Sequence, residues 1–134
     1  MNDERLEIAR RLVMCPKWVW LPGMLATGDV ITPHLPVRVG LTGDGGLLFY
    51  DRGIKSKRSH RRAFCDFGLF PDLDDDLTRL GVLAVVRRAW NDPTASIRFI
   101  DRCPLDSSWE CNGRWVCYGP TEEAALLAAL EAAP

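Results

Sequence analysis

The chain has 134 residues, of which 47% are apolar and 26% charged, and its formal net charge is −1. That balance predicts a single folded domain spanning residues 1–134 and excludes a protein that binds nucleic acid through overall positive charge. No apolar run approaches the roughly 20 residues that cross a membrane, and the charged opening "MNDERLEIARRLVM" lacks the form of a secretion signal, so the expected location is the cytoplasm of the cell that makes it, with no membrane partner.

The opening segment predicts a helix. Asn2 is placed to cap it, and Asp3 and Glu4 suit the positive end of its dipole. Leu6, Ala9 and Val13 mark one face, with Ile8 and Leu12 beside them, and Pro16 ends it. In "KWVWLPGM", Trp18 and Trp20 alternate around Val19 as in a short strand, and Pro22-Gly23 turns the chain. The prolines and Gly-Asp of "ATGDVITPHLP" read as a loop. Val37, Val39 and Leu41 alternate, as do the residues of "LLFY", and "TGDGG" between them fits a hairpin.

The basic stretch "GIKSKRSHRRAF" follows. With Arg52 it gathers Lys55, Lys57, Arg58, Arg61 and Arg62 within eleven residues. Such a run can neutralise phosphates or meet an acidic protein surface. It can also be a solvated loop that pairs with the acidic stretch "DFGLFPDLDDD" just after it. Those neighbouring charges nearly cancel, which places an acidic protein ahead of phosphate as its partner.

"AFCDFGLF" fits a strand ending at Pro71. In "DLDDDLTRLGVLAVVRRAWNDP" three Asp open a helix, Arg87 and Arg88 lie near its end, and Asn91-Asp92-Pro93 closes it. Leu77, Leu80, Ala84, Val85 and Ala89 recur at helical spacing, predicting a buried central helix in which Gly81 permits a close approach to the sheet. Residues 95–100 alternate as a strand. "SWECNGRWVCY" reads as a hairpin turning at Asn112-Gly113, which would pair Cys111 with Arg114, Glu110 with Trp115 and Trp109 with Val116. "PTEEAALLAALEAAP" predicts a last helix capped by Thr121, with a stripe of Leu126, Leu127 and Leu130. The order implies an α+β domain: a mainly antiparallel sheet packed with an N-terminal, a central and a C-terminal helix.

No catalytic spacing appears. The five cysteines include no C-x-x-C pair, and neither His34 nor His60 has a ligand-spaced partner. Buried thiols in a reducing compartment are expected, with no metal and no cofactor. Asp74, Asp75 and Asp76 are explained by capping and the helix dipole rather than by metal binding, which needs ligands converging from several directions. Nothing orients His60 towards Cys65 as a base towards a nucleophile, so the expectation is a protein that is not an enzyme. Five tryptophans are many for a core of this size. Trp18, Trp20 and Trp109 join the basic run as candidate partner-binding residues, with core packing as their alternative.

Three stretches, "CPKWVWLPGM", "LTRLGVLAVVRRAW" and "PTEEAALLAALEAAP", together resemble a group of short accessory proteins of bacteriophages and prophages. The likeness covers roughly half the chain and leaves out residues 53–62. It implies a protein that works stoichiometrically, by occluding a host protein or ribonucleoprotein complex, with CRISPR-type defence complexes among such targets. A small nucleic-acid-binding accessory protein using residues 52–62 is the alternative.

Overall fold

The computed structural model describes residues 1–28, 36–41, 47–51, 54–57, 68–101 and 108–134. Among them the chain forms α1 (Asp3–Met14), β1 (Leu25–Gly28), β2 (Val37–Leu41), β3 (Leu47–Asp51), β4 (Ile54–Lys57), β5 (Leu69–Pro71), α2 (Asp76–Ala89), β6 (Ser96–Ile100), β7 (Ser108–Asn112), β8 (Val116–Gly119) and α3 (Glu122–Glu131). All strand pairs are antiparallel. The α+β expectation holds, but the strands divide into two sheets, β4-β3-β2-β1-β5 and β6-β7-β8. One buried cluster draws on all three helices and both sheets.

Each helix starts where a side chain can satisfy its first free N–H groups. The Arg5 amide donates to Asn2 Oδ1 at 2.9 Å, the Thr78 amide to Asp75 Oδ2 at 2.8 Å and the Ala124 amide to Thr121 Oγ1 at 3.2 Å. α1 buries Ile8, Ala9 and Leu12. At the end of α2, Asn91 enters the left-handed region at φ 50°, and the Asp92 amide reaches back to the Arg87 carbonyl at 2.9 Å. That backward bond closes the helix.

The buried side of α2 differs from the expected one. Thr78, Val82, Leu83, Val85 and Val86 face inward, while Leu77 and Leu80 are exposed. A polar link sets this rotation. The Leu25 amide donates to Thr78 Oγ1 at 2.7 Å, and that hydroxyl donates to Asp75 Oδ2. One turn on, Gly81 lies against Met24, where a Cβ would stand 2.7 Å from Met24 Cε. The most enclosed helix is therefore α3, not α2. It buries Glu123, Ala125, Leu126, Leu127, Ala129 and Leu130, and packs against α1, α2 and the second sheet.

Residues 18–21 belong to no strand. Trp18 and Trp20 meet edge to face with centroids 5.4 Å apart, and Gly23 turns the chain at φ 94°. The Gly23 amide then donates to the Val39 carbonyl, and the Val39 amide to the Met24 carbonyl, each at 2.8 Å. Ala26–Gly28, read as loop, form part of β1 between β2 and β5. The predicted β2–β3 hairpin is present, with Leu41 opposite Leu47, while its loop lies outside the described residues. The basic run begins as a strand rather than a loop: β4 lies at the sheet edge with Lys55 opposite Tyr50 and Lys57 opposite Leu48.

The β7–β8 register is also shifted. Cys111 faces Cys117, Glu110 faces Tyr118 and Trp109 faces Gly119, leaving a three-residue turn at 113–115. Tertiary contacts override the local Asn-Gly preference. Asp92 Oδ2 accepts the Arg114 amide at 3.0 Å and fills the space beside Gly113. Trp115 leaves the ladder to stack on Trp90, with centroids 4.6 Å apart and planes 19° from parallel. Trp90 Nε1 in turn donates to the Ala129 carbonyl at 2.7 Å, joining the end of α2 to α3.

Candidate partner-binding surface

The acidic stretch before α2 has specific work. Arg5 Nη1 donates to Asp74 Oδ1 at 2.6 Å, Arg38 Nη1 meets Asp75 Oδ2 at 2.8 Å, and Arg79 pairs with Asp76. Asp72 Oδ1 accepts the Asp74 amide at 3.0 Å. Arg38 and the Thr78 cap hold the Asp75 carboxyl down at about 2. The α-ammonium of Met1 and then Arg5 lower that of Asp74. The three consecutive Asp thus serve helix capping and ion pairs to α1, β2 and α2.

Of the basic candidates, Lys55 and Lys57 occupy alternate positions of edge strand β4. Arg52, Arg58, Arg61 and Arg62 lie outside the described residues, as do His34, His60, Cys65 and Cys103. Only Lys55 and Lys57 of that group fall among the described residues.

The tryptophan candidates separate. Trp18 and Trp20 are 7% and 1% exposed and belong to the core, so their rings have little surface for a partner. Trp109 is half-buried on β7. It stands in a row across the second sheet, between Gly119 of β8 and Phe99 of β6. The start of α3 rests directly on Gly119, close enough that a Cβ there would strike the Ala124–Ala125 backbone. α3 thus covers the β8 side of the sheet. At the opposite edge, Phe99 is 53% exposed, its ring edge-on to Trp109 at 5.6 Å.

The opposite face of this sheet is polar and ordered. Glu110 is buried between Arg98 and Tyr118 in the cross-strand row, and Oε1 accepts from Arg98 Nε at 3.0 Å and from Asn112. Asn112 and Arg98 hold its carboxyl below the usual range. Val116 and Tyr118 are exposed on the same strand. The Phe99–Trp109 edge thus gives one face of the second sheet an exposed aromatic element, the residue type enriched in protein-contact surfaces, while the charged row lies on the other face.

Of the three described cysteines, one fits the buried-thiol expectation fully and two in part. Cys111 is fully buried, Cys15 and Cys117 are half-buried, and all three are free. Burial pushes the Cys111 thiol up to about 12 and raises that of Cys117, the reverse of what a reactive thiolate requires.

Phe99 was not singled out in the sequence. Its only signal was its place in the alternation of residues 95–100, which does not show that α3 stops short of it. Leu77 and Leu80 were visible as an apolar stripe but expected inside. Comparison with protein-family models, curated proteins and solved structures gave no match.

Proposed function

We propose that the protein acts by binding a macromolecular partner, as a phage-derived stoichiometric inhibitor of a host machine such as a CRISPR-type defence complex. The contact surface in this reading is the open edge of the second sheet around Phe99 and Trp109. The observation that carries it is the exposed Phe99 ring braced edge-on by Trp109. A rigid, half-exposed aromatic pair binds at low cost in side-chain entropy, and such anchors dominate interface energetics. The phage context and the choice of target rest on the three motifs that resemble phage accessory proteins.

Affinity capture from host lysate tests it, run in parallel with wild-type protein and Phe99→Asp, and paired with a phage-challenge assay of host defence. The expected result is a host protein or ribonucleoprotein retained by wild type and lost from the variant, with defence blocked only by wild type. Equal recovery by both proteins would remove Phe99 from the interface. Failure of wild type to block any defence system would remove the inhibitor reading.

The second reading is a nucleic-acid-binding accessory protein, and it rests on the six positive charges of residues 52–62. Among the described residues, the Asp residues at 74–76 pair with Arg5, Arg38 and Arg79. Fluorescence anisotropy with short DNA and RNA decides it. Binding through this run falls steeply with salt, and absence of binding at low salt rejects it.

A further inference from the structure

The stripe that α2 turns outward has a second use. Leu77 and Leu80 are 59% and 62% exposed one turn apart, and Ala84 continues their line. Asp76 lies exposed at one end of the helix and Arg88 at the other. Among the described residues, Asp76 pairs only with Arg79 of its own helix and Arg88 makes no ion pair. The helix therefore presents an apolar middle between an acidic and a basic pole about 18 Å apart along its axis.

Such a surface complements itself in one orientation. With a second copy laid antiparallel about a two-fold axis near residue 82, Leu80 meets the second copy's Ala84, and Asp76 meets the second copy's Arg88 at both ends. The aliphatic stem of the second copy's Arg88 also covers Leu77. The small Ala84 lets the helices approach closely, and the antiparallel dipoles attract. A parallel arrangement sets Asp76 against Asp76 and Arg88 against Arg88. We propose that α2 is a self-association face, through which two copies of the chain form an antiparallel two-fold dimer. Two leucines per copy fall well short of the roughly 800 Å² per partner of a standard stable interface, so the dimer is weak and exchanges rapidly. This face is separate from the Phe99–Trp109 edge, and the proposal does not depend on the identity of any host target.

Sedimentation velocity on the whole chain, from about 10 to about 500 µM at low salt, should show a concentration-dependent monomer–dimer equilibrium. Asp76→Lys and Arg88→Glu each turn two attractions into two repulsions, and each should weaken the dimer about tenfold or more. Mixed together, the two variants regain both attractions, and a heterodimer of near wild-type strength should appear. The loss in each single variant marks the antiparallel arrangement, because a parallel pair already sets like charges together in wild type and would not be weakened further. Leu80→Glu should give a monomer, and it serves in place of Asp76→Lys if that variant does not melt cooperatively by circular dichroism. A wild-type monomer throughout the range overturns the proposal. So does a wild-type-like dimer in Leu80→Glu, or charge variants that fail to complement when both are folded.

Discussion

A methyl group at Gly113 would be driven into the Asp92 carboxylate, and one at Gly119 into the backbone of Ala124 and Ala125. The two collisions differ in what can yield. Asp92 can rotate away, at the expense of the hydrogen bonds it accepts from the Thr94 and Arg114 amides. Gly113→Ala should therefore cost about 1–3 kcal/mol. A helix backbone pinned by its own ladder cannot rotate, so Gly119→Ala should cost about 3 kcal/mol or more. Urea denaturation of both variants checks the order, and an equal or reversed order contradicts the packing of α3 on β8. Asp75 supplies a pH-dependent counterpart. Its carboxyl lies at about 2 in the folded chain, against about 3.9 unfolded. The unfolded state therefore binds more protons across that interval. The stabilisation is complete above about pH 4 and is lost as pH falls through about 2. Asp75→Asn retains a good helix cap but loses the charge opposite Arg38. Its melting temperature should fall less steeply than that of wild type between about pH 4 and 2. An unchanged slope would show that the Arg38 pair contributes nothing to acid stability.

At the level of elements, α1, α2 and α3 are joined by ion pairs as well as by apolar contact. Arg5 of α1 reaches Asp74 before α2 and, through Nη2 at 2.9 Å, Glu123 of α3, which is buried. Arg5→Ala leaves the buried Glu123 without this partner and should destabilise the fold by about 3 kcal/mol. Arg5→Met combined with Glu123→Leu removes both charges and should recover most of that loss. Thermal melts of the single and double variants test it; equal losses would mean the charge is not the cause. The helix caps were legible because capping is local: Asn2, Asp75 and Thr121 act on amides three residues ahead. The rotation of α2 was not, because it depends on Thr78 meeting a Leu25 amide 53 residues away. The β7–β8 register failed for the same reason. Asn112-Gly113 is a strong local turn signal, but Asp92 and Trp90 act on residues 113–115 from outside the hairpin.

On the scale of the whole molecule, composition and element order were enough for an α+β class, but the division into two sheets was not visible. It follows from β1 pairing with both β2 and β5, which sets Ala26 opposite Val37 and Pro71. The candidate surface was half legible. Trp109 carried a signal through its residue type, while Phe99 is exposed only because α3 covers the other side of the sheet. Trp18 and Trp20 carried the same residue-type signal as Trp109 and are enclosed by the core, so residue type alone does not distinguish an anchor from a packing ring. The ion pair from Arg11 on α1 to Glu131 on α3, with both carboxylate oxygens at 2.8 Å, spans 120 residues of chain. Leu12 and Leu130 belong to one buried cluster, so the interior cannot be completed by neighbours in sequence. Loop-closure entropy must be met before these contacts return any free energy, which slows folding relative to a chain of this length held by local contacts. During that search the apolar faces of α1 and α3 remain open to other chains, making the unfinished protein a natural client for chaperones.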